Sequence, residues 1–308
     1  MPKSGRVQSS RAFTLIELLV VVSIIALLIS ILLPSLKSAR EQGKRIKCQA
    51  NMRQINSALY QYIMDYDALP VFYSKGPNGC ICGWCTWSYG GWVGTNTYWD
   101  NVYDGCFRVP AEKRPLTVYM NKGGVAPVKI KNGKLWEESG QPVFRCPSDD
   151  KSGQYLYINP NAGTDLMFSS YEDVGTSYHM NFYWWDQTHL GTGPDWDGDG
   201  QYEPTPGLCP NEAIPGCSSQ LTNWPCRFRQ GLDIWKRHLH RGSSRFVTLV
   251  EEPFDLAINA GTQELGFHGR FSRHMMAFID GHVSYMSPDT RNLFGPDWTV
   301  VDERMEIR

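Results

Sequence analysis

From Phe13 to Leu33 the chain reads FTLIELLVVVSIIALLISILL, 21 positions that are apolar all round a helix apart from Thr14, Glu17, Ser23 and Ser30. That length crosses the hydrocarbon core of a bilayer. Past Pro34 the pattern changes. Met52, Ile55, Leu59 and Ile63 recur at spacings of three and four, with Arg53, Gln54, Asn56 and Gln61 between them. This is one apolar stripe on an otherwise polar helix, which packs on a domain that follows. DYDALP (Asp65–Pro70) ends the helix. A helix over 13–66 is about 80 Å long at 1.5 Å per residue. Beyond it the pattern is that of strands. RFVTLVEE (Arg245–Glu252) reads as a central strand, MMAFI and HVSYM flank a hairpin at Asp280-Gly281 of type I′, and VKI and KLW flank another at Asn132-Gly133. The predicted class is α+β: a long N-terminal transmembrane and amphipathic helix leading into a loop-rich antiparallel sheet domain.

The organisation follows. Residues 1–12 form a basic head, 13–66 the helix with its transmembrane part at 13–33, and 67–308 a globular part. A Cys/Gly/Pro-rich insert with an acidic loop lies around 186–228. The head carries Lys3, Arg6 and Arg11 and no acid, which fits the cytoplasmic side of a membrane. A secretory signal peptide has an apolar region of about 7–15 residues and a small-residue cleavage site; this run is longer, and Pro34-Ser35-Leu36-Lys37 offers no such site. A plain anchor helix explains length and flanks but not Glu17. A carboxylate there costs on the order of 2.5–3.5 kcal/mol on insertion scales and normally has a partner and a task.

AFTLIE (Ala12–Glu17) resembles the processing site of type IV pilins and type II secretion pseudopilins. The resemblance implies a cut by a prepilin peptidase between Ala12 and Phe13, where the family usually has Gly before the cut, and N-methylation of Phe13. It implies that Glu17 pairs with the amino terminus of a neighbouring subunit and sets the register of helices in a filament, so its cost is met on assembly. Pro34 falls where the family commonly kinks its helix; proline lacks the N–H and clashes with the preceding turn. CQANMRQINSALYQYIMDYDALP, FRCPSDD, TSYHMN and RHMMAFIDGHV resemble a pilin-like group typical of planctomycete-type bacteria. The hallmark of that group is a His, nine residues and Asp-Gly. Here Asp280-Gly281 matches, but the His position holds Arg270; His274 and His268 precede Asp280 with five and eleven residues between. The Asp-Gly reads as a turn rather than a catalytic acid.

The net charge of -1 gives no field for nucleic acid. All nine cysteines follow the apolar run, so export permits disulfides. Cys80, Cys82, Cys85, Cys106, Cys146, Cys209, Cys217 and Cys226 are disulfide candidates, and the odd total leaves one over. A zinc knot of Cys80, Cys82, Cys85 and Cys106 is the rival reading; haem attachment fails because Thr86, not His, follows Cys85. DWDGDGQYE places Asp195, Asp197 and Asp199 in alternation before Gly200, with Gln201 and Glu203 as further oxygen donors. This copies the first half of a calcium loop, although Pro206 stands where an EF-hand has its bidentate Glu. Trp84–Trp99 is rich in aromatics and glycine, either loop core or a platform for a glycan. No motif of a hydrolase, metalloprotease or phosphate-binding loop is present. The expectation is a non-enzymatic pilin-like subunit of the bacterial inner membrane. It is single-pass, with its N-terminus cytoplasmic and its globular part in the periplasm or at the cell surface in a filament. Its partners are prepilin peptidase and other pilin subunits. The rival is a minor subunit or surface module that captures polysaccharide or a secreted protein.

Overall fold

A computed structural model describes residues 14–75, 81–96, 98, 105–106, 109–121, 130–131, 134–135, 141–154, 169–183 and 224–301. It divides into two compact units, residues 1–43 and 44–308. Helix α1 runs from Leu15 to Tyr66 and contains Pro34 without interruption. In the first unit its large apolar side chains are exposed, from Leu15 at 80% to Leu36 at 65%. The hydroxyls of Ser23, Ser30 and Ser35 donate back to the carbonyls of Leu19, Leu27 and Leu32, so these three do not need water.

In the second unit the same helix is built differently. Met52, Ile55, Leu59 and Ile63, the predicted stripe, are buried, together with Cys48, Asn51 and Asn56. Each large apolar side chain stabilises the fold by about 1.5–3 kcal/mol relative to exposure. The helix ends as the sequence indicates. Asp67 takes a left-handed backbone (φ 49), and its N–H closes on the Ile63 carbonyl at 3.0 Å, the usual way of satisfying a last-turn carbonyl.

Strands β1 (Phe72–Lys75) and β2 (Ile81–Cys85) pair antiparallel, as do β3 (Ile130–Lys131) and β4 (Lys134–Leu135). The β3–β4 register leaves two residues between the strands, as expected for a hairpin around Asn132-Gly133. The principal sheet holds β5 (Tyr178–Met180), β6 (Val247–Glu251), β7 (His274–Phe278) and β8 (Val283–Met286) in that order, antiparallel throughout. RFVTLVEE is therefore central, as predicted. β6 and β7 are buried along their whole length, so they do not alternate apolar with solvent-facing polar positions, and their polar members Thr248, Glu251 and His274 have partners inside the core. Asn56 of α1 donates to the Phe278 carbonyl at 2.8 Å and accepts from Thr248 Oγ1 at 2.9 Å, fixing the helix on β6 and β7. The pair β9 (Phe294–Gly295) and β10 (Trp298–Thr299) completes the strands.

Apart from the four-residue helices Thr117–Met120 and Ser170–Asp173, two helices among the described residues were not expected from the sequence. α2 (Trp224–Arg241) starts inside the segment read as an insert. Its spacing of Phe228, Leu232, Trp235 and Leu239 carried the helical signal. Trp235 packs edge-on against Tyr60 of α1 at 4.9 Å, and Arg229 (2.7 Å) and Lys236 both hold Asp67. α3 (Glu252–Ala260) follows β6 directly and closes on Gly261 at φ 60. The β7–β8 hairpin forms where predicted, but its turn is not type I′. Gly281 has a positive φ of 91 and Asp280 does not, whereas type I′ needs both. Instead Asp280 Oδ1 accepts from the His282 N–H at 3.1 Å and from His282 Nδ1 at 2.6 Å, and the loop is one residue longer.

Candidate functional site

The helix start is set by Thr14. Its N–H and its hydroxyl each donate to Glu17 Oε2 at 2.9 Å, and the Glu17 N–H donates to Thr14 Oγ1 at 3.2 Å. This is the reciprocal Thr-x-x-Glu arrangement that satisfies donors left open in a first turn. Glu17 was read as a carboxylate without a partner in its own chain. The structure corrects that, and the four residues Thr-Leu-Ile-Glu already spelled the cap. Both donors are uncharged, and among the described residues no cation pairs with the carboxylate. Among the described residues its Oε1 accepts no hydrogen bond. A cation approaching the helix start finds an oriented carboxylate with one oxygen to spare. Around it lies apolar surface that nothing in the first unit covers, and α1 is the one described helix long and apolar enough to cross a membrane.

Several other chemistry-bearing groups lie inside the second unit, held by its own hydrogen bonds. Asp149, Asp173 and Glu252 are buried together. Asp149 accepts from the N–H groups of Ser170 (2.9 Å) and Tyr171 (3.0 Å) and from Ser177 Oγ (2.5 Å). Asp173 accepts from Ser152 Oγ at 2.6 Å and from Asn96 Nδ2. Glu252 accepts from the Gln154 N–H at 2.8 Å and the Gly153 N–H at 3.3 Å. Burial pushes Asp149 up to about 6, raises Asp173, and raises Glu252 well above the usual range, with the nearby Asp149 and Asp173 adding to the effect on Glu252. Two buried histidines face carboxylates: His274 Nδ1 lies 2.9 Å from Glu251, and His179 Nδ1 lies 2.9 Å from Asp255. His274 thus belongs to the sheet core.

Trp87, Tyr89 and Trp92 of the aromatic stretch are core, while Tyr98 is half exposed. Trp92 stacks on Tyr171 with ring centres 5.6 Å apart, Tyr89 meets Phe144 edge-on, and Trp87 lies against His179. Arg114, fully buried, holds this loop by donating to the carbonyls of Val109, Trp87 and Gly90 at 3.0, 3.2 and 2.6 Å; burial lowers it to about 10. Gly91 (φ 90) lies against the Gly175 carbonyl so closely that a Cβ would sit 2.1 Å from that oxygen. No pattern in the sequence announced Arg114, because a single arginine between prolines and aromatics looks exposed.

Cys48, Cys85, Cys106 and Cys146 are all buried thiols. Cys85 accepts from the Trp87 N–H at 3.3 Å. Cys48, the one cysteine left out of the disulfide candidates, lies in α1 with its Sγ 2.8 Å from that of Cys146 and 3.0 Å from the Tyr178 hydroxyl. Cys48, Cys146 and His268 are also the group among the described residues whose donor atoms converge enough to hold a metal ion. Ala12, Phe13, Cys80, Asp195, Asp197, Asp199, Gln201, Glu203, Cys209 and Cys217 lie outside the described residues, as do the side chains of Cys82, Trp84 and Cys226.

Two family models match the chain. One, described as Prokaryotic N-terminal methylation motif, covers residues 8–33. The other, described as Protein of unknown function (DUF1559), covers residues 37–233. Among curated proteins and among solved structures nothing matches.

Proposed function

From a chain that belongs to the family described as Protein of unknown function (DUF1559), the planctomycete-type pilin-like group, and that carries the prokaryotic N-terminal methylation motif ahead of it, we propose a structural subunit that assembles through its N-terminal helix into a type II secretion pseudopilus or a type IV pilus-like filament. The motif implies processing by a prepilin peptidase and assembly with other pilin subunits. In our reading the cut falls between Ala12 and Phe13, and the new Phe13 amine is methylated. The head stays cytoplasmic, α1 crosses the inner membrane over 13–33, and residues 67–308 are exported.

One observation carries this reading. An apolar helix surface, exposed from Leu15 to Leu36, begins at a carboxylate whose geometry is fixed by Thr14 and which no cation among the described residues pairs with. Lipid covers the apolar surface before assembly, and other subunits cover it afterwards. A neighbour's terminal amine, largely cationic with a pKa of about 7.7–8.0, supplies the missing charge at Glu17. The alternative, a minor subunit or surface module that captures polysaccharide or a secreted protein, would have to use aromatics other than Trp87 and Trp92, which are buried.

The test is the intact mass of the membrane form. It is expected to lack residues 1–12 and to carry one methyl group on Phe13. A retained leader in cells with an active prepilin peptidase overturns the proposal.

A further inference from the structure

We infer that Cys48 and Cys146 close into a disulfide that ties the buried half of α1 to the segment leading into β5. The inference rests on the pilin-like reading in one respect: that reading places these residues on the oxidising side of the membrane, where disulfides persist.

The two sulfurs lie 2.8 Å apart, closer than unbonded sulfur atoms pack. A shift of about 0.8 Å brings them to bonding distance. The backbone on both sides is held in place. Asn51, one turn after Cys48 in α1, donates to the Arg145 carbonyl at 3.0 Å. The Cys146 N–H donates to Ser177 Oγ at 2.9 Å, and the Ser177 N–H donates to the Phe144 carbonyl at 2.9 Å. The pair is thus built into the junction of helix and sheet and is not a chance meeting of flexible chains. Both cysteines are fully buried.

A metal is the alternative use of these residues, since His268 Nε2 stands 3.7 Å from Cys146 Sγ. Two thiolates on one tetrahedral zinc, each at about 2.3 Å, keep about 3.8 Å between sulfurs. The observed separation is much shorter, and it favours the covalent bond.

The oxidant is a disulfide of the thiol–disulfide exchange class. The Cys146 thiolate attacks one of its sulfurs and the second leaves as a thiolate. The Cys48 thiolate then attacks the Cys146 sulfur and expels the first. The two cysteines lose two electrons and two protons, and the oxidant becomes two thiols. Burial raises the Cys146 thiol well above its ordinary value, so exchange belongs to a stage before the junction closes, and the finished bond is shielded from reductants. The pair encloses a loop of 98 positions, among the longer loops a single bridge can close. Force applied along the stem is then carried to the sheet through a covalent bond rather than through packing alone.

The test is peptide mapping of the full chain taken from membranes, with thiols alkylated at lysis. Tryptic peptides Cys48–Arg53 and Cys146–Lys151 are expected as one linked species that a reductant separates. Each of Cys48→Ser and Cys146→Ser is expected to lower the Tm of the detergent-solubilised chain by about 10 °C, the double variant by no more, with the differences vanishing in reductant. Should either variant fail to fold, the mapping of the unaltered chain still decides. Both cysteines alkylated as isolated, yet linked after oxidised glutathione is added to the solubilised chain, uphold the pair and overturn the export-side placement. Both alkylated and still unlinked after that treatment overturn the pair, and so does zinc retained by unlinked thiols.

Discussion

Helix α1 is one element with two kinds of surface. From Leu15 to Leu36 its large apolar side chains stand exposed, Leu28 at 55% among them, whereas Met52, Ile55, Leu59 and Ile63 are at most 1% exposed. Both stretches are helical, so the backbone does not distinguish them. What differs is where the apolar groups lie. A helix apolar all round needs an apolar medium or other chains on every side, while a helix with one stripe needs a single partner face. The second half finds that face in its own sheet, through Asn56 on Phe278 and Thr248. The first half finds none among the described residues of its unit, which fits a membrane-anchoring segment.

The largest effect expected from this comparison is at Glu17. Glu17→Val makes the first half uniformly apolar, so membrane insertion is retained or improved while incorporation into filaments is lost. The measurement is the ratio of sheared filament to membrane-held subunit. Incorporation at the level of the unaltered chain breaks the idea that the carboxylate sets the register.

The same substitution in the two halves sharpens the contrast. Leu59→Ala leaves a cavity in a packed core and is expected to cost about 2–5 kcal/mol, seen as a lower denaturant midpoint for the solubilised chain. Leu28→Ala is expected to leave that midpoint unchanged, because its side chain packs against nothing in the domain. Equal losses at both positions contradict the division.

A third test uses the contrast between the exposed Glu17 and the buried carboxylates of the second unit. Asp149 at about 6, Asp173 and Glu252 are all held above their ordinary values, chiefly by burial. The native state therefore keeps protons that the unfolded chain releases. Their contribution is fully present below the unfolded values near 4 and is lost as pH rises through the folded values. The second unit is expected to melt higher at pH 5 than at pH 8, Asp149 alone accounting for about 1.4 kcal/mol of the difference. Glu252→Gln flattens the slope. A Tm that rises from pH 5 to pH 8 refutes the assignment.

Much of this was readable in advance because periodicity reports which faces are buried. The stripe from Met52 to Ile63, the central strand Val247–Glu251 and the hairpins follow from spacing and turn residues alone. α2 was missed although Phe228, Leu232, Trp235 and Leu239 spaced it correctly, because the cysteines, prolines and glycines upstream suggested a continuing loop. Arg114 and the Cys48–Cys146 contact could not be read at all. Each depends on segments far apart in sequence meeting in space, and neither residue type declares its partner. Thr14 is the opposite case. Its role is local and lay in plain sight, but attention to the charge of Glu17 hid the cap.

The smallest expected effect concerns that cap. Thr14→Val keeps size and β-branching and removes the hydroxyl. Two of the three contacts with Glu17 go: the hydroxyl's own donation to Oε2 and the bond that Oγ1 accepts from the Glu17 N–H. The bond from the Thr14 N–H to Oε2 has no need of the hydroxyl and remains. The carboxylate then keeps its charge and its position in sequence but loses part of its orientation, and the first turn frays more readily. Filament incorporation is expected to fall a few-fold, between the unaltered chain and Glu17→Val, with cleavage and insertion unchanged. Thr14→Ser, which restores a hydroxyl, is expected to recover most of it. A Thr14→Val chain that assembles normally shows that Glu17 needs only its charge; one as defective as Glu17→Val shows that orientation matters as much as charge.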